Sequence, residues 1–191
     1  MLAAVILSGG GSRRMGSPKA LVPYQGRLFL EHLLKITEQP QIGVRRVVLG
    51  ADAKAITDAI KLPPREIVVN ENWEQGQLSS IHAALRSLPP GTDGVLIALV
   101  DHPLVTGDLI HDLIERFYLS RKPIVLPVFK NRRGHPVIFS SGLYEELLAA
   151  PMETGARAVV WTHADGVSEV TTTEEGCVLN LNDPDALARI S

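Results

Sequence analysis

Hydrophobic positions in this chain follow two alternating rhythms. Leu2 to Leu7, Val44 to Leu49, Ile67 to Val69, Val95 to Val100 and Ile124 to Val128 are short aliphatic-rich runs with little polar alternation. Such runs suit strands buried on both faces, as parallel strands are. Between them, apolar residues recur at helical spacing: Leu30, Leu33 and Leu34; Ile56, Ala59 and Ile60; Ile81, Ala84, Leu85 and Leu88; Leu109, Ile110, Leu113, Ile114 and Phe117. Each set defines one buried helix face. Asp52 and Thr106 stand where N-caps are expected, and Asp183 before Pro184 opens a last helix. Alternating strand and helix predicts an α/β layered fold with a mainly parallel sheet. From Arg121 to Thr173 the rhythm breaks at Pro123, Pro127, Pro136 and Pro151, so strands there are expected to pair antiparallel or form a small subregion. A last apolar run, Val178 to Leu181, ends at Asn182-Asp183, and strand spacing would put Asn180 and Asn182 on one face.

Composition narrows the class. The chain has 191 residues, of which 45% are hydrophobic, 21% charged and 5% aromatic, with a formal charge of −2. One domain spanning 1–191 is expected, and disorder, collagen and coiled coil are excluded. Balanced charge gives no basic surface for nucleic acid or anionic membrane. The single cysteine, Cys177, offers no intrachain disulfide and no cysteine cluster for a metal. The first apolar run is too short for a secretion signal, and no run reaches the length of a membrane helix, so a cytoplasmic protein is expected.

In open α/β sheets, ligands bind beyond the carboxyl ends of the strands. After the first run comes Ser8 to Lys19, with Gly9, Gly10, Gly11, Gly16, Arg13, Arg14 and Lys19. Glycine backbone amides and flanking cations make an anion site for two or three phosphates. Neither familiar phosphate motif fits. Gly11 and Gly16 have Walker spacing, but Ser17-Pro18-Lys19 follows, and Arg14 occupies the third glycine of a dinucleotide fingerprint. Asp101 ends an apolar run, where a carboxylate suits Mg²⁺ held against substrate phosphates; the plainer alternative is a turn aspartate before Pro103. His82, His102 and His135 lack zinc-ligand spacing. The amide oxygens of Asn180 and Asn182 are candidates to complete a metal or water shell. Arg133-Gly134-His135-Pro136 reads either as a hairpin turn or as a site for an anionic second substrate. Asn70 to Ser80 leads into a helix whose first turn offers Gly76, Ser79 and Ser80 as hydrogen-bonding groups, with Trp73 expected simply to pack.

The order of these segments resembles the MobA-like nucleotidyltransferases, closest to the molybdenum cofactor cytidylyltransferase branch. Leu7-Ser8-Gly9-Gly10, Arg14-Met15-Gly16 and Lys19 are similar to the family's opening signature. Asn70, Trp73, Gly76 and Ser79-Ser80, then Asp101-His102-Pro103, then Arg133-Gly134-His135-Pro136, follow in the family's order. The resemblance implies a Rossmann-like three-layer sandwich of the nucleotide-diphospho-sugar transferase type. It implies transfer of a nucleoside monophosphate from a nucleoside triphosphate, CTP before GTP, to a phosphorylated acceptor such as molybdopterin. A molybdoenzyme or its maturation factor would receive the product. Leu7, Ser8, Gly9, Gly10, Asn70, Gly76 and Ser80 would bind nucleotide. Arg14 and Lys19 would neutralise triphosphate charge, Asp101 and Asn182 would hold Mg²⁺, and Ser79, Ser80, His102, Arg133 and His135 would face the acceptor. Two departures stand out. Asn180-Leu181-Asn182-Asp183-Pro184 replaces the family's closing pair of aspartates, and Leu-Ser-Gly-Gly resembles the guanylyltransferase form of the first loop.

Overall fold

The computed structural model describes residues 1–11, 16–182 and 184–188, excepting the side chains at 184 and 185. Arg14 and the helix cap expected of Asp183 lie outside the described residues. The strands are β1 (Leu2–Ser8), β2 (Pro23–Tyr24), β3 (Arg27–Leu28), β4 (Ile42–Leu49), β5 (Ile67–Val69), β6 (Gly94–Leu99), β7 (Ile124–Phe129), β8 (Arg132–Arg133), β9 (Val137–Ser140) and β10 (Val167–Thr171). The helices are α1 (Phe29–Ile36), α2 (Ala53–Ala59), α3 (Gln77–Ser87), α4 (Gly107–Ser120), α5 (Tyr144–Ala149), α6 (Arg157–Thr162) and α7 (Pro184–Ala188). No helix among the described residues is long and apolar enough to cross a membrane.

The main sheet runs β10-β7-β9-β6-β1-β4-β5, with β8 on β7. β1 pairs in parallel with β4 and β6, β4 with β5, and β10 with β7. β9 lies antiparallel between β6 and β7. All seven residues of β1 are buried, and their side chains alternate between two cores. Leu2 and Ile6 join Leu30 and Leu33 of α1, Ile56 of α2 and Leu109, Leu113 and Ile114 of α4. Ala3, Val5 and Leu7 join Leu78 and Ile81 of α3, Leu147 of α5 and Val159 of α6. An apolar residue at every position is what a strand covered on both faces requires, because its side chains alternate with period two. Burying each Leu or Ile this way contributes roughly 1.5–3 kcal/mol.

Several expectations need correction. Ala59 is exposed, and only Ile56 and Ile60 of that set are buried. Thr106 caps α4, its Oγ accepting from Leu109 N at 3.2 Å, but the Asp52 side chain makes no cap bond. The reversal after β7 falls at Lys130-Asn131, both at positive φ, as a two-residue hairpin turn requires. Arg133 to Pro136 is therefore the chain leaving that turn, not the turn. Val178 to Leu181 is not a strand. It follows a short 3-10 turn over Glu175–Cys177 and runs irregularly back across the strand ends, so no strand pleat unites Asn180 and Asn182.

Candidate active site

A cleft of about 300 Å³ opens at the carboxyl ends of β1, β4 and β6. Leu7, Ser8, Gly9, Gly10 and Gly11 line one side, and Gly76 with Ser80 at the start of α3 line another. Part of this loop is tightly enclosed: a Cβ on Gly9 would fall 2.7 Å from Ser80 Oγ, whereas one on Gly10 would meet nothing within 4 Å, and Gly50, just past the end of β4, packs on the loop. A Cβ on Gly50 would fall 2.1 Å from the Gly9 carbonyl oxygen and 2.7 Å from Trp73 Cβ. Neither contact leaves room for a side chain.

Lys19, Asp101 and Asn182 meet at this cleft, although they are distant in sequence. Lys19 Nζ donates to Asn182 Oδ1 at 2.6 Å and lies 3.5 Å from Asp101 Oδ2. The Lys19 and Asp101 side chains are 24% and 18% exposed, so water screens them only in part. Leu181 N donates to the Asp101 carbonyl at 2.8 Å, which ties the C-terminal segment to the end of β6 and brings Asn182 into place. Asn180 is exposed and lines the same cleft. One anionic and one neutral oxygen thus converge on a cationic group. A hard divalent cation accepts that donor set when phosphate oxygens complete it. Among the described residues no three His, Cys, Asp or Glu side chains form a metal cluster by themselves, so the phosphates would be needed.

The segment after β5 divides its roles. Asn70 Nδ2 donates to Ser79 Oγ at 2.8 Å and Ser80 Oγ at 3.0 Å, while its Oδ1 accepts from Asn72 N at 3.0 Å. Ser79 Oγ lies 2.9 Å from the Asn72 carbonyl oxygen and 2.7 Å from that of Gly76. Asn70 and Ser79 brace this loop, whereas Ser80 and Gly76 face the first cleft. Trp73 does more than pack. It lines that cleft with Asp52 and Gln77, residues the sequence reading missed as site residues. The position of Asp52 just past the end of β4 was the available signal.

A second cleft, of about 400 Å³, adjoins the first through Gln77, which lines both. Arg133 and His135 lie here. Arg133 Nε donates to Glu169 Oε1 at 2.7 Å. The floor is Leu78, Ile81, Ile97, Leu126, Val137 and Phe139, and Arg157 and Trp161 of α6 form part of the wall. Neither of these α6 residues was picked out from sequence.

His102, in the loop between β6 and α4, is 3% exposed and lines neither cleft. Its Nδ1 lies 3.2 Å from the Gly176 carbonyl oxygen, an acceptor, so Nδ1 carries the proton and Nε2 keeps its lone pair. Its ring sits 5.4 Å from that of His135, and His102 Nε2 and His135 Nδ1 are buried without a hydrogen-bond partner. Burial holds the His102 imidazole below its usual pKa despite the neighbouring Asp101. Burial, with His102 beside it, pushes His135 down to about 4. Both rings are neutral at neutral pH. Cys177 connects the two motifs from behind: its carbonyl accepts from His135 N at 2.8 Å, and a Cβ on Gly134 would fall 2.4 Å from that oxygen.

Comparison with known proteins bears on the family and the fold. Residues 4–167 match the model of the MobA-like NTP transferase domain. A molybdenum cofactor guanylyltransferase of Cereibacter sphaeroides is 30% identical over 98% of this chain and 94% of its own length. Nicotine blue oxidoreductase of Paenarthrobacter nicotinovorans is 33% identical over 73% of this chain and 71% of its own. In structure, Rv0371c of Mycobacterium tuberculosis superposes with a TM-score of 0.83 at 27% identity, covering 99% of this chain and 96% of that one. Molybdopterin-guanine dinucleotide biosynthesis protein A of Archaeoglobus fulgidus has the same fold, with a TM-score of 0.70 at 20% identity over 98% of this chain and 95% of its own. A mostly parallel sheet carrying a glycine loop after its first strand, matched by a family model across most of its length, places this chain in the MobA-like nucleotidyltransferase family.

Proposed function

We propose that this chain moves a nucleoside monophosphate from GTP or CTP onto the phosphate of a molybdopterin-type acceptor and releases pyrophosphate. The observation that carries the reading is the convergence of Lys19, Asp101 and Asn182 on a cleft lined by glycine-loop backbone. An acceptor phosphate oxygen attacks the α-phosphorus; the bond from that phosphorus to the β-phosphate bridging oxygen breaks, and pyrophosphate leaves with the electron pair. The nucleophile is already ionised at neutral pH, so no side chain need remove a proton. The protein's contribution is alignment and charge neutralisation. Backbone amides of Gly9 to Gly11 and the Lys19 ammonium receive the polyphosphate. Magnesium, when bound, supplies positive charge against the triphosphate, with Asp101 and Asn182 as its protein oxygen donors.

Arg133-Gly134-His135-Pro136, the segment that resembles the cytidylyltransferase branch, does not bear on the choice of base. Arg133 and His135 line the second cleft, away from Leu7 to Gly10, and bear on the acceptor instead. Leu7 to Gly10 resembles the guanylyltransferase form, and the Cereibacter relative is named for that activity. GTP is therefore the first nucleotide to test and CTP the second.

The direct test is pyrophosphate release from each of GTP, CTP, ATP and UTP with Mg²⁺, with molybdopterin or glucose 1-phosphate as acceptor. Release that requires molybdopterin supports the reading. Release only with the sugar phosphate replaces the acceptor class. Nucleotide binding without release with either acceptor reduces the chain to a nucleotide-binding partner. A second reading comes from nicotine blue oxidoreductase, a relative named for redox chemistry; it requires electron transfer to or from a substrate with no release of pyrophosphate.

A further inference from the structure

We infer that His102 is a positioning residue: its Nδ1 hydrogen bond sets the spacing between Asp101 and Asn182, the two oxygen donors offered to a divalent cation. The inference rests on the transferase reading for those donors and adds what holds them in place. The family resemblance assigns His102 to the acceptor, yet the residue lines neither cleft. Its ring is buried beside Asp101 and donates through Nδ1 to the Gly176 carbonyl at 3.2 Å.

Asp101 follows β6, whereas Asn182 ends an irregular run that pairs with no strand. No sheet ladder therefore fixes one donor against the other. The loop after β6 grips the C-terminal segment instead. The Asp101 carbonyl accepts from Leu181 N at 2.8 Å, His102 reaches Gly176, and Thr106 Oγ donates to Glu174 Oε1 at 2.6 Å. Gly176 packs so closely on this loop that a Cβ there would fall 2.7 Å from the Leu104 carbonyl oxygen. The Thr106–Glu174 pair is exposed, so water competes for it. The His102 bond is buried, where a hydrogen bond is stronger and its loss leaves a carbonyl unpaired.

The residue type points the same way. An apolar side chain could fill this space with no polar group to satisfy. The imidazole instead leaves Nε2 buried without a hydrogen-bond partner, a cost that packing alone does not explain. With the proton on Nδ1, Nε2 donates nothing to Asp101 Oδ1, 4.0 Å away, and takes no share of that carboxylate.

Nucleotide binding tests this without turnover. Calorimetry gives the Kd of GTP, or of CTP where GTP does not bind, with Mg²⁺ and with EDTA; the ratio reads the metal site. His102→Phe keeps a buried ring but no donor, and His102→Gln carries its amide to the Nε2 position. Both should cut the Mg²⁺-dependent gain in affinity by about tenfold, the scale on which groups that orient metal ligands act, with the Kd in EDTA unchanged. His102→Asn restores an N–H at the Nδ1 position and should keep most of the gain. Asn182→Ala should lose the gain as His102→Phe does, and combining the two should cost nothing further. Should His102→Phe fail to fold, the contrast between Asn and Gln at this position decides the matter alone. Equal gains in the Asn and Gln variants, or losses in His102→Phe and Asn182→Ala that add in full, would overturn the inference. So would a wild-type Kd indifferent to Mg²⁺, which leaves nucleotide binding standing. Failure of the wild type to bind either nucleotide would overturn the transferase reading, and the inference with it.

Discussion

Lys19 offers the sharpest separation between structural and catalytic roles. Replacing it with Ala removes an ammonium that lies 2.6 Å from Asn182 Oδ1 and 3.5 Å from Asp101 Oδ2. At 3.5 Å and an effective dielectric of 20, the gross attraction to Asp101 is about 5 kcal/mol. Desolvation of two partly buried groups and side-chain ordering cancel most of that, leaving a net contribution to stability of roughly 1 kcal/mol. For a chain of this length that is a fall of about 2–4 °C in Tm. The catalytic role predicts a larger effect. A fixed positive charge against a polyphosphate that gains negative charge at the leaving oxygen contributes about 3–4 kcal/mol in the transition state, or a hundred- to thousandfold in kcat/KM. Lys19→Ala should therefore remain folded by thermal melt and circular dichroism while kcat/KM for pyrophosphate release falls by two orders of magnitude or more. Lys19→Arg keeps the charge and should recover part of the loss. A folded Lys19→Ala protein whose kcat/KM drops less than about fivefold, the equivalent of roughly 1 kcal/mol, would show that the residue only braces Asp101 and Asn182.

Three further outcomes are expected. Asn182→Asp adds a second negative charge at the point where Lys19 and Asp101 meet, and should lower the Mg²⁺ concentration for half-maximal activity; no change would remove Asn182 as a ligand. Gly50→Ala places a Cβ 2.1 Å from the Gly9 carbonyl and 2.7 Å from Trp73 Cβ, so the glycine loop must move; nucleotide affinity should fall and stability should drop by about 1–3 kcal/mol, measured by calorimetry and chemical denaturation. Burial pushes His135 down to about 4 in the native protein from the ordinary histidine value of 6.5, so the unfolded chain takes up a proton first as pH falls. Its contribution to unfolding free energy should be flat above about pH 7 and fall by about 2 kcal/mol between pH 7.5 and 5. Denaturation curves of His135→Gln should lack that component, and an identical pH dependence in the variant would refute the assignment.

What the sequence determined by itself is local. Continuous aliphatic runs marked the strands covered on both faces, β1, β6 and β7, because burial on both sides favours apolar residues throughout, and β1 is apolar from Leu2 to Leu7; the similar run Ile67 to Val69 is instead the edge strand β5, with Val69 exposed. Helical spacing located α1, α3 and α4, and the position of Ser8 to Lys19 and of Asp101 just past buried runs put them at the ligand edge before any coordinates. The order of motifs was enough for the family. Tertiary structure decided the rest, since periodicity encodes how much of a residue is buried and not what it touches. Val178 to Leu181 has the composition of a strand, yet its backbone instead serves the loops, through Leu181 N to the Asp101 carbonyl and the Cys177 carbonyl to His135 N. Only that path brings Asn182 to Lys19 across 163 positions of sequence. Ser79 and Ser80 are neighbours in sequence, but helical rotation turns one hydroxyl toward the Asn72 and Gly76 carbonyls and leaves the other facing the cleft. The second cleft exists because β9 inserts antiparallel between β6 and β7 and α6 packs over that part of the sheet. Its walls come from α3, α6 and four strands of the sheet. Such long-range pairing depends on which surfaces bury each other best, a property of the whole assembled sheet and of no single segment.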